Sequence, residues 1–319
     1  MRALVSGSSG LIGSALVARL EAGGHVVHRL VRRPPEDGEA AIDVAARTID
    51  ASRLPGQSLE GLDAVFNLAG EPLAPESWRK PPRWSPAKKE RIWSSRVETT
   101  ELLASVLAGL DKPPAVLVSA SATGYYGDRG DELLVEGTLP GTGFLPEVCV
   151  AWEAATAPAT EAGIRTVALR TGMVLAAEGG FLKMMLPLFR RGLGARIGGG
   201  WQWMSWISLD DEVGALLHAA TRDDLSGPVN AVSPEPVRNR DLTLALAEAV
   251  GRPALLSVPE GPLRMAFGID AAVFALASQR VVPRRLERSG YEHVHPQLAG
   301  ALRAALASPA AAGHPHRAA

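Results

Sequence analysis

The stretch Met1 to Leu20, MRALVSGSSGLIGSALVARL, constrains the fold more than any other part of the chain. Ala3, Leu4 and Val5 form a short apolar run suited to a buried parallel strand, and Ser14 to Leu20 reads as a helix. Gly7, Gly10 and Gly13 therefore fall in the strand-to-helix turn, with Ser9, Leu11 and Ile12 between them. Glycine accepts positive φ and has no Cβ, so the backbone can approach a pyrophosphate there. The N–H groups and dipole at the helix start would stabilise its charge. The G-x-x-G-x-x-G spacing differs by one residue from the dinucleotide fingerprint G-x-G-x-x-G. An ordinary tight turn with close helix–sheet packing is the alternative reading.

A second signal predicts which dinucleotide. Val26 to Val31 reads as the next strand and ends on Arg32 and Arg33, stopped by Pro34 and Pro35. In dinucleotide folds this strand end faces the adenosine ribose, where a carboxylate bonds the 2′-hydroxyl and arginine neutralises a 2′-phosphate. Two arginines without a carboxylate predict NADP(H), against the alternative of a solvated basic pair.

The rest of the first half keeps a strand–helix rhythm. Asp37 to Leu62 is polar and broken by Gly and Pro, a weak strand with loops. Asp63 to Gly70 (DAVFNLAG) reads as a buried strand ending on small residues, where a cofactor can lie close over Asn67, Leu68, Ala69 and Gly70 and Asn67 can bond backbone to orient the turn. Glu71 to Pro86, with five prolines, Trp78 and Trp84, reads as an irregular loop. A helix is expected over Ala87 to Leu110, carrying Arg91 and Arg96. Ala115 to Ser119 is a strand running into Ser121 and the Tyr125–Tyr126 pair. Leu145 to Ala162 reads as helix with Cys149 and Glu153, and Arg165 to Arg170 as strand, followed by Thr171 and Gly172. Hydroxyl groups just past central strand ends are where doubly wound sheets place their chemistry. The alternation predicts an α/β fold, a Rossmann-like doubly wound parallel sheet with helices on both faces.

After residue 175 the rhythm breaks. Three tryptophans fall within Trp201 to Trp206, readable as a sugar platform or an inter-domain core, the core being favoured. A short strand plus a helix capped by Asp210 or Asp211 is expected over Ile207 to Ala220, with further helices over Asp241 to Val250, Arg264 to Ala277 and Gln297 to Leu306. The expected division is an NADP(H)-binding domain over 1–175 with returns to the sheet around 201–235, and a smaller, mainly helical substrate-side lobe over 176–306. A C-terminal module begins near 252 and a disordered tail covers 307–319. The tail's His314 and His316 lack acidic or cysteine companions, so no metal site is expected.

Composition narrows the partners. A net charge of −1 with interspersed signs argues against nucleic acid and an anionic membrane surface, leaving a small molecule. The single Cys149 rules out an internal disulfide, and no apolar run suits a bilayer, so a cytoplasmic protein is expected. A homodimer is allowed without being demanded.

Taken together, the chain resembles the extended and atypical short-chain dehydrogenases/reductases over residues 1 to 306, which typically show the longer first glycine gap. Within them it resembles an epimerase-family branch with an uncharacterised C-terminal module. The resemblance rests on GSSGLIG at Gly7, NLAGE at Asn67, SRVETTELL at Ser95, SASATGYYG at Ser119, CVAWEAA at Cys149, LRTGMVL at Leu169 and GPVNAVSPEPVRN at Gly227. Toward the C-terminus RPALLSVP, ASQRVVPRRL and GYEHVHPQL extend it. It implies a Rossmann-like NADP(H) site and a substrate-side role for Asn230 and the tryptophan cluster.

The resemblance also exposes departures. The superfamily pairs a Ser and a Tyr with a Lys four residues after the Tyr, which lowers the Tyr pKa and binds the nicotinamide ribose. Ser121 matches the Ser, but Leu145 and Cys149 stand at the Tyr and Lys positions. Arg96 replaces an Asn, and Ser208 an expected His. The expected catalytic candidates are Ser121, Tyr125 and Tyr126; Tyr125-x-x-x-Arg129 lies on a loop. The implied cofactor contacts are the glycine loop, Arg32, Arg33, Asn67 to Gly70, Arg91, Arg96, Ser119, Cys149, Thr171 and Gly172. The function expected is an epimerase-like or oxidoreductase-like activity on a small substrate, or a non-catalytic NADP(H)-binding sensor or interaction protein.

Overall fold

The structure, a computed structural model, describes residues 1–73, 84–267 and 275–307. In chain order its first half runs β1 (Arg2–Ser6), α1 (Leu11–Ala22), β2 (Val26–Val31), β3 (Glu39–Asp43), β4 (Thr48–Asp50), β5 (Ala64–Asn67), α2 (Pro86–Ser94), α3 (Val97–Ala108) and β6 (Val116–Ala122). Then come β7 (Leu133–Leu134), α4 (Phe144–Ala154), α5 (Ala157–Glu161), β8 (Arg165–Thr171), β9 (Met173–Leu175), α6 (Gly180–Phe189), β10 (Ala195–Ile197), β11 (Trp203–Met204), β12 (Trp206–Ser208) and α7 (Leu209–Thr221). The last part holds β13 (Gly227–Ala231), β14 (Val237–Arg238), α8 (Asn239–Ala249), β15 (Leu256–Val258), α9 (Glu260–Phe267), β16 (Arg280–Val281), α10 (Arg284–Arg288) and α11 (Leu298–Ala307).

Eight strands form the central sheet in the order β13-β8-β6-β5-β1-β2-β3-β4. All pairs are parallel except β3 with β4. Continuous apolar runs such as Ala3-Leu4-Val5 and Ala64-Val65-Phe66 are essentially unexposed, as expected where helices cover both faces of a sheet. One face packs Val5, Phe66 and Val118 with Leu16 and Leu20 of α1 and Leu216 of α7. The other packs Leu4, Val65 and Leu117 with Leu103 and Leu107 of α3 and Ala159 of α5. The chain builds outward from β1 to β4, then returns to β5 on the other side of β1. Strand order therefore reverses between β1 and β5, the place where doubly wound sheets open a crevice at their carboxyl ends.

Several local expectations are corrected. Asp37 to Leu62 contains two strands, β3 and β4. The long helix expected over 87–110 is α2 and α3, broken at Ser95 and Arg96. The helix over 145–162 is α4 and α5, with Pro158 in the first turn of α5. The α7 cap is Ser208, whose Oγ accepts from the Asp211 N–H, not Asp210 or Asp211. Asn230, expected on the substrate side, lies fully buried in β13, the edge strand by which the chain returns to the central sheet.

Beyond β9 a smaller region packs Leu182 and Leu186 of α6, Leu246 of α8 and Leu302 of α11 around Trp206. The tryptophans split: Trp206 is buried core, Trp203 stacks against Arg238 and Arg280, and Trp201 is largely exposed beside Arg240. Residues 280–295 pack back onto the main body. Val281 pairs with β7, Arg285 N–H donates to Glu136, and Asp211 accepts from the N–H groups of Val294 and His295. Among the described residues no helix is long and apolar enough to cross a membrane. Trp78, part of the helix expected over 264–277, and the 308–319 tail with His314 and His316 lie outside the described residues.

Candidate functional site

The crevice at the β1/β5 reversal is built from glycine. Gly7 has φ +66°, and a Cβ there would come within 2.8 Å of the Leu68 carbonyl, so only glycine lets β1 and β5 end side by side. A Cβ at Gly13 would overlap the Gly7 carbonyl, which locks the start of α1 onto the turn. Gly10 serves a different purpose: its φ of −75° is ordinary, it is exposed, and it occupies the α1 N-cap with no side-chain cap. The first turn of α1 also lacks an acidic residue. The uncapped N–H groups and positive dipole end at Leu11 and Ile12 thus face the crevice, a donor set that suits a pyrophosphate. Ser9 is exposed beside them, and the bare Cα of Gly10 leaves room for close approach.

A buried polar chain fixes the strand ends behind this turn. Ser6 Oγ donates to Asn67 Oδ1 at 2.8 Å and accepts from the N–H groups of Leu68 and Ala69. Asn67 Nδ2 donates to Thr100 Oγ1 and Ser119 Oγ. Ser6, which the sequence reading passed over, therefore orients the Leu68–Ala69 backbone. Asn67 and Ser119, expected as cofactor contacts, are 1% and 2% exposed and act from behind. Past the β5 end, Arg96 packs its guanidinium under Gly70, donates to the Glu71 carbonyl at 3.0 Å and stacks on Trp152. Burial pulls Arg96 down from its usual pKa, opposed by the charge of the Glu71 carboxylate. Arg91 reaches the Glu71 carboxylate at 3.3 Å, alongside Lys88 at 2.7 Å.

The adenosine end of the crevice corrects one expectation. A carboxylate is present after all: Arg33 is held bidentate by Glu39 at 2.8 and 2.9 Å. Glu39 belongs to β3, six residues on in sequence but adjacent in space because β3 pairs with β2. Burial pushes the Glu39 carboxyl up, while the Glu36 N–H and Arg33 pull it further down, leaving it below the usual carboxylate range. Arg32 is exposed and pairs with no carboxylate among the described residues.

At the β6 end the catalytic candidates diverge. Ser121 is 4% exposed and its hydroxyl donates to Glu153 at 2.7 Å, so it is not presented as a donor to a substrate carbonyl. Tyr126 is fully buried. Its hydroxyl donates to Asn230 at 2.7 Å and accepts from Arg170 at 3.0 Å, and burial pushes it up to about 12, which removes it from acid–base work near neutral pH. Tyr125 is half-buried, its ring 3.4 Å from the Arg170 guanidinium carbon, and its hydroxyl makes no hydrogen bond among the described residues. Leu145 and Cys149, one helical turn apart on α4, both face Gly124 in the turn after β6, where the superfamily's Tyr and Lys would stand. Burial drives the Cys149 thiol up to about 12 despite the partial pull of Arg96, so it stays neutral.

The organiser of this end is a pair that sequence reading did not single out. Arg170 of β8 binds Glu153 of α4 through two contacts of 2.8 Å, and its remaining donors reach the Tyr126 hydroxyl and the Glu136 carbonyl. An arginine directly after the apolar stretch Val167-Ala168-Leu169 of β8 was the available signal, since a buried guanidinium requires a carboxylate partner. Thr171 closes β8, and its hydroxyl donates to the buried Glu212 at 2.8 Å. A Cβ at Gly172 would come within 2.7 Å of the Ser205 carbonyl, so this glycine serves packing. No group of His, Cys, Asp and Glu suited to a metal occurs among the described residues.

Comparison with known proteins matches this arrangement to a family. Residues 3–232 match the NAD dependent epimerase/dehydratase family, and residues 258–305 a domain of unknown function, DUF1731. The chain belongs to the NAD dependent epimerase/dehydratase family. An epimerase family protein of Mycobacterium bovis is 45% identical over 96% of this chain and 97% of its own length. The crystal structure of human epimerase family protein SDR39U1, isoform 2, with NADPH superposes with a TM-score of 0.87 at 33% identity, covering 96% of this chain and all of that one. A nucleoside-diphosphate sugar epimerase from Corynebacterium glutamicum superposes with a TM-score of 0.74 at 35% identity, covering 95% of this chain and 58% of that one. Within this epimerase/dehydratase family the chain is thus an atypical short-chain dehydrogenase/reductase-like member with a Rossmann-like, NAD(P)-type fold.

Proposed function

We propose that this protein binds NADP(H) across the β1/β5 crevice and acts on a small substrate in an epimerase-like or oxidoreductase-like manner without the superfamily's Tyr–Lys couple. The observation that carries the binding half is the uncapped start of α1 over Gly10, next to a β5 end held in place by Ser6. Such a site supplies backbone donors to a pyrophosphate and needs no side chain of its own. Exposed Arg32 supports the choice of NADP(H), because a 2′-phosphate needs a cation that is not already neutralised. Arg33 would have to share its guanidinium with Glu39. The NADPH bound to human SDR39U1 agrees with this choice.

A bound nicotinamide would supply hydride transfer. Of this chain's own groups, Arg96 can place positive charge near the ribose side where the lysine is missing, and Tyr125 is the remaining hydroxyl able to meet a substrate. A second reading, a non-catalytic NADP(H) sensor, is favoured by one observation: Ser121, Tyr126 and Cys149 are all buried and tied into the interior. Calorimetric titration with NADP(H) and NAD(H) at one ionic strength tests the cofactor; tighter NADP(H) is expected, and equal or tighter NAD(H) contradicts it. Turnover with a panel of sugar nucleotides and carbonyl compounds separates the two readings. Nucleotide oxidation or reduction that falls in Tyr125→Phe supports the catalytic one, and binding without turnover supports the sensor.

A further inference from the structure

Glu212 lies in the first turn of α7, is 1% exposed, and has an Oε2 with no hydrogen-bond partner. Its Oε1 accepts from Thr171, and Thr171 remains partly exposed at the carboxyl end of β8. A buried carboxyl with one oxygen unpaired is costly, and retention of such a group asks for a reason.

No described cation offsets it. On α7, Asp211 is spent on Ser208, Tyr291 and the N–H groups of Val294 and His295, and Asp210 pairs with His295. His218 lies farther along α7, bonded to Ser289. On β8, Arg170 points to the opposite sheet face toward Glu153, and Arg165 sits at the other strand end. On α1, Arg19 and Glu21 belong to the far turn, while β6, β9 and β12 carry no titratable side chain. From the C-terminal region Tyr291 approaches, its hydroxyl donating to the Asp211 carbonyl at 3.0 Å. Burial pushes the Glu212 carboxyl up to about 8, against the opposing hydrogen bond from Thr171.

We propose that Glu212, acting through Thr171, couples a proton to the charge of a bound nicotinamide ring: ionised, it favours the oxidised, cationic form, and protonated, the reduced, neutral form. The inference rests on the NADP(H) reading above. A dinucleotide laid across the switch point with its adenosine at β2 has its nicotinamide half toward β6 and β8. Because the Thr171 hydrogen is committed to Glu212, the Thr171 oxygen offers lone pairs to the crevice and suits a donor such as a carboxamide N–H. Glu212 is thereby a positioning residue.

The test compares equilibrium affinities of the folded protein for NADP⁺ and NADPH between about pH 6.5 and about pH 9.5. Titration of the 2′-phosphate is common to both nucleotides and cancels in the ratio of their Kd values. One buried charge acting on another through an effective dielectric of about 20 should lower Kd(NADP⁺)/Kd(NADPH) about fivefold or more over this range. In Glu212→Gln and Glu212→Leu the ratio should stay constant within about twofold. A flat ratio in the native protein, or a native-like slope in a folded variant, overturns the coupling while leaving nucleotide binding intact. Failure to bind either nucleotide at any pH overturns both readings. Infrared spectroscopy of the unsubstituted protein gives a readout that needs no variant. A buried protonated-carboxyl band should disappear on raising the pH through about 8, and at lower pH with NADP⁺ than with NADPH; coincident titrations contradict the proposal.

Discussion

The two halves of the crevice have been treated in opposite ways. At the β1/β5 end, every feature that a dinucleotide backbone would use is made of main chain: Gly7, Gly10, the start of α1, and the Leu68–Ala69 segment held by Ser6. At the β6/α4 end the hydroxyl side chains Ser121 and Tyr126 are drawn inward. Leu145 and Cys149 present carbon and a neutral thiol to Gly124, and Ser121 and Tyr126 serve a buried network centred on Arg170 and Glu153. Binding can persist on backbone geometry alone, whereas proton transfer requires groups with suitable pKa values facing the ligand.

The largest expected effect breaks the second half without touching the first. Arg170→Ala strips the largely buried Glu153, 16% exposed, of its counter-charge and leaves Ser121 as its remaining hydrogen-bond partner among the described residues, which should destabilise the fold by about 3 kcal/mol, measured by urea unfolding. A loss below about 1 kcal/mol would mean that the pair is not what organises this end. Next, Arg96→Ala should weaken NADP(H) binding by roughly 1.5 to 3 kcal/mol, since it removes a charge-assisted donor beside Gly70. Loss of affinity from Cys149→Ala but not from Arg96→Ala would reverse that assignment.

A subtler effect is the pH dependence of stability. The folded pKa of Glu212, about 8, lies above its ordinary value of 4.5, so the folded state holds the extra proton between these limits. Stability attributable to this group should therefore be fully present below about pH 4.5 and decline as pH rises toward 8. Comparing the melting temperature of wild type and Glu212→Gln across this window checks the sign: the variant should gain relative to wild type as pH rises. The smallest effect is that of Cys149→Ala on NADP(H) affinity, expected within a few tenths of a kcal/mol because a neutral buried thiol offers a ligand little.

The contrast also explains what could be read from the sequence. The glycine loop, the parallel strands β1, β2, β5, β6 and β8 and the doubly wound sheet were legible because their signals are local: apolar runs, glycine spacing, and strand–helix alternation. Pro158 signalled the helix break at Ala155–Thr156, but the break at Ser95–Arg96 was not legible, since no Gly or Pro marks it. Nor were the partners that decide each site residue's role. Arg33 looked free until β3 brought Glu39 beside it, Ser121 looked reactive until Glu153 accepted its hydrogen bond, and Thr171 gained a buried acid from 41 residues away. Such pairs are fixed by strand order and helix docking, which no local window contains. Ser6 was legible in principle, as a polar residue at the buried end of an apolar strand beside Asn67.

The most direct test of the central claim is a calorimetric titration of NADPH into the wild-type protein and into Gly10→Val. The account predicts saturable one-to-one binding to the wild type, and loss of that binding in the variant with a retained circular dichroism spectrum, because an added side chain stands over the α1 start while its Cβ, 3.2 Å from the Gly7 carbonyl, asks the backbone to give only slightly. Absence of saturable binding in the wild type, or native affinity in Gly10→Val, would contradict it.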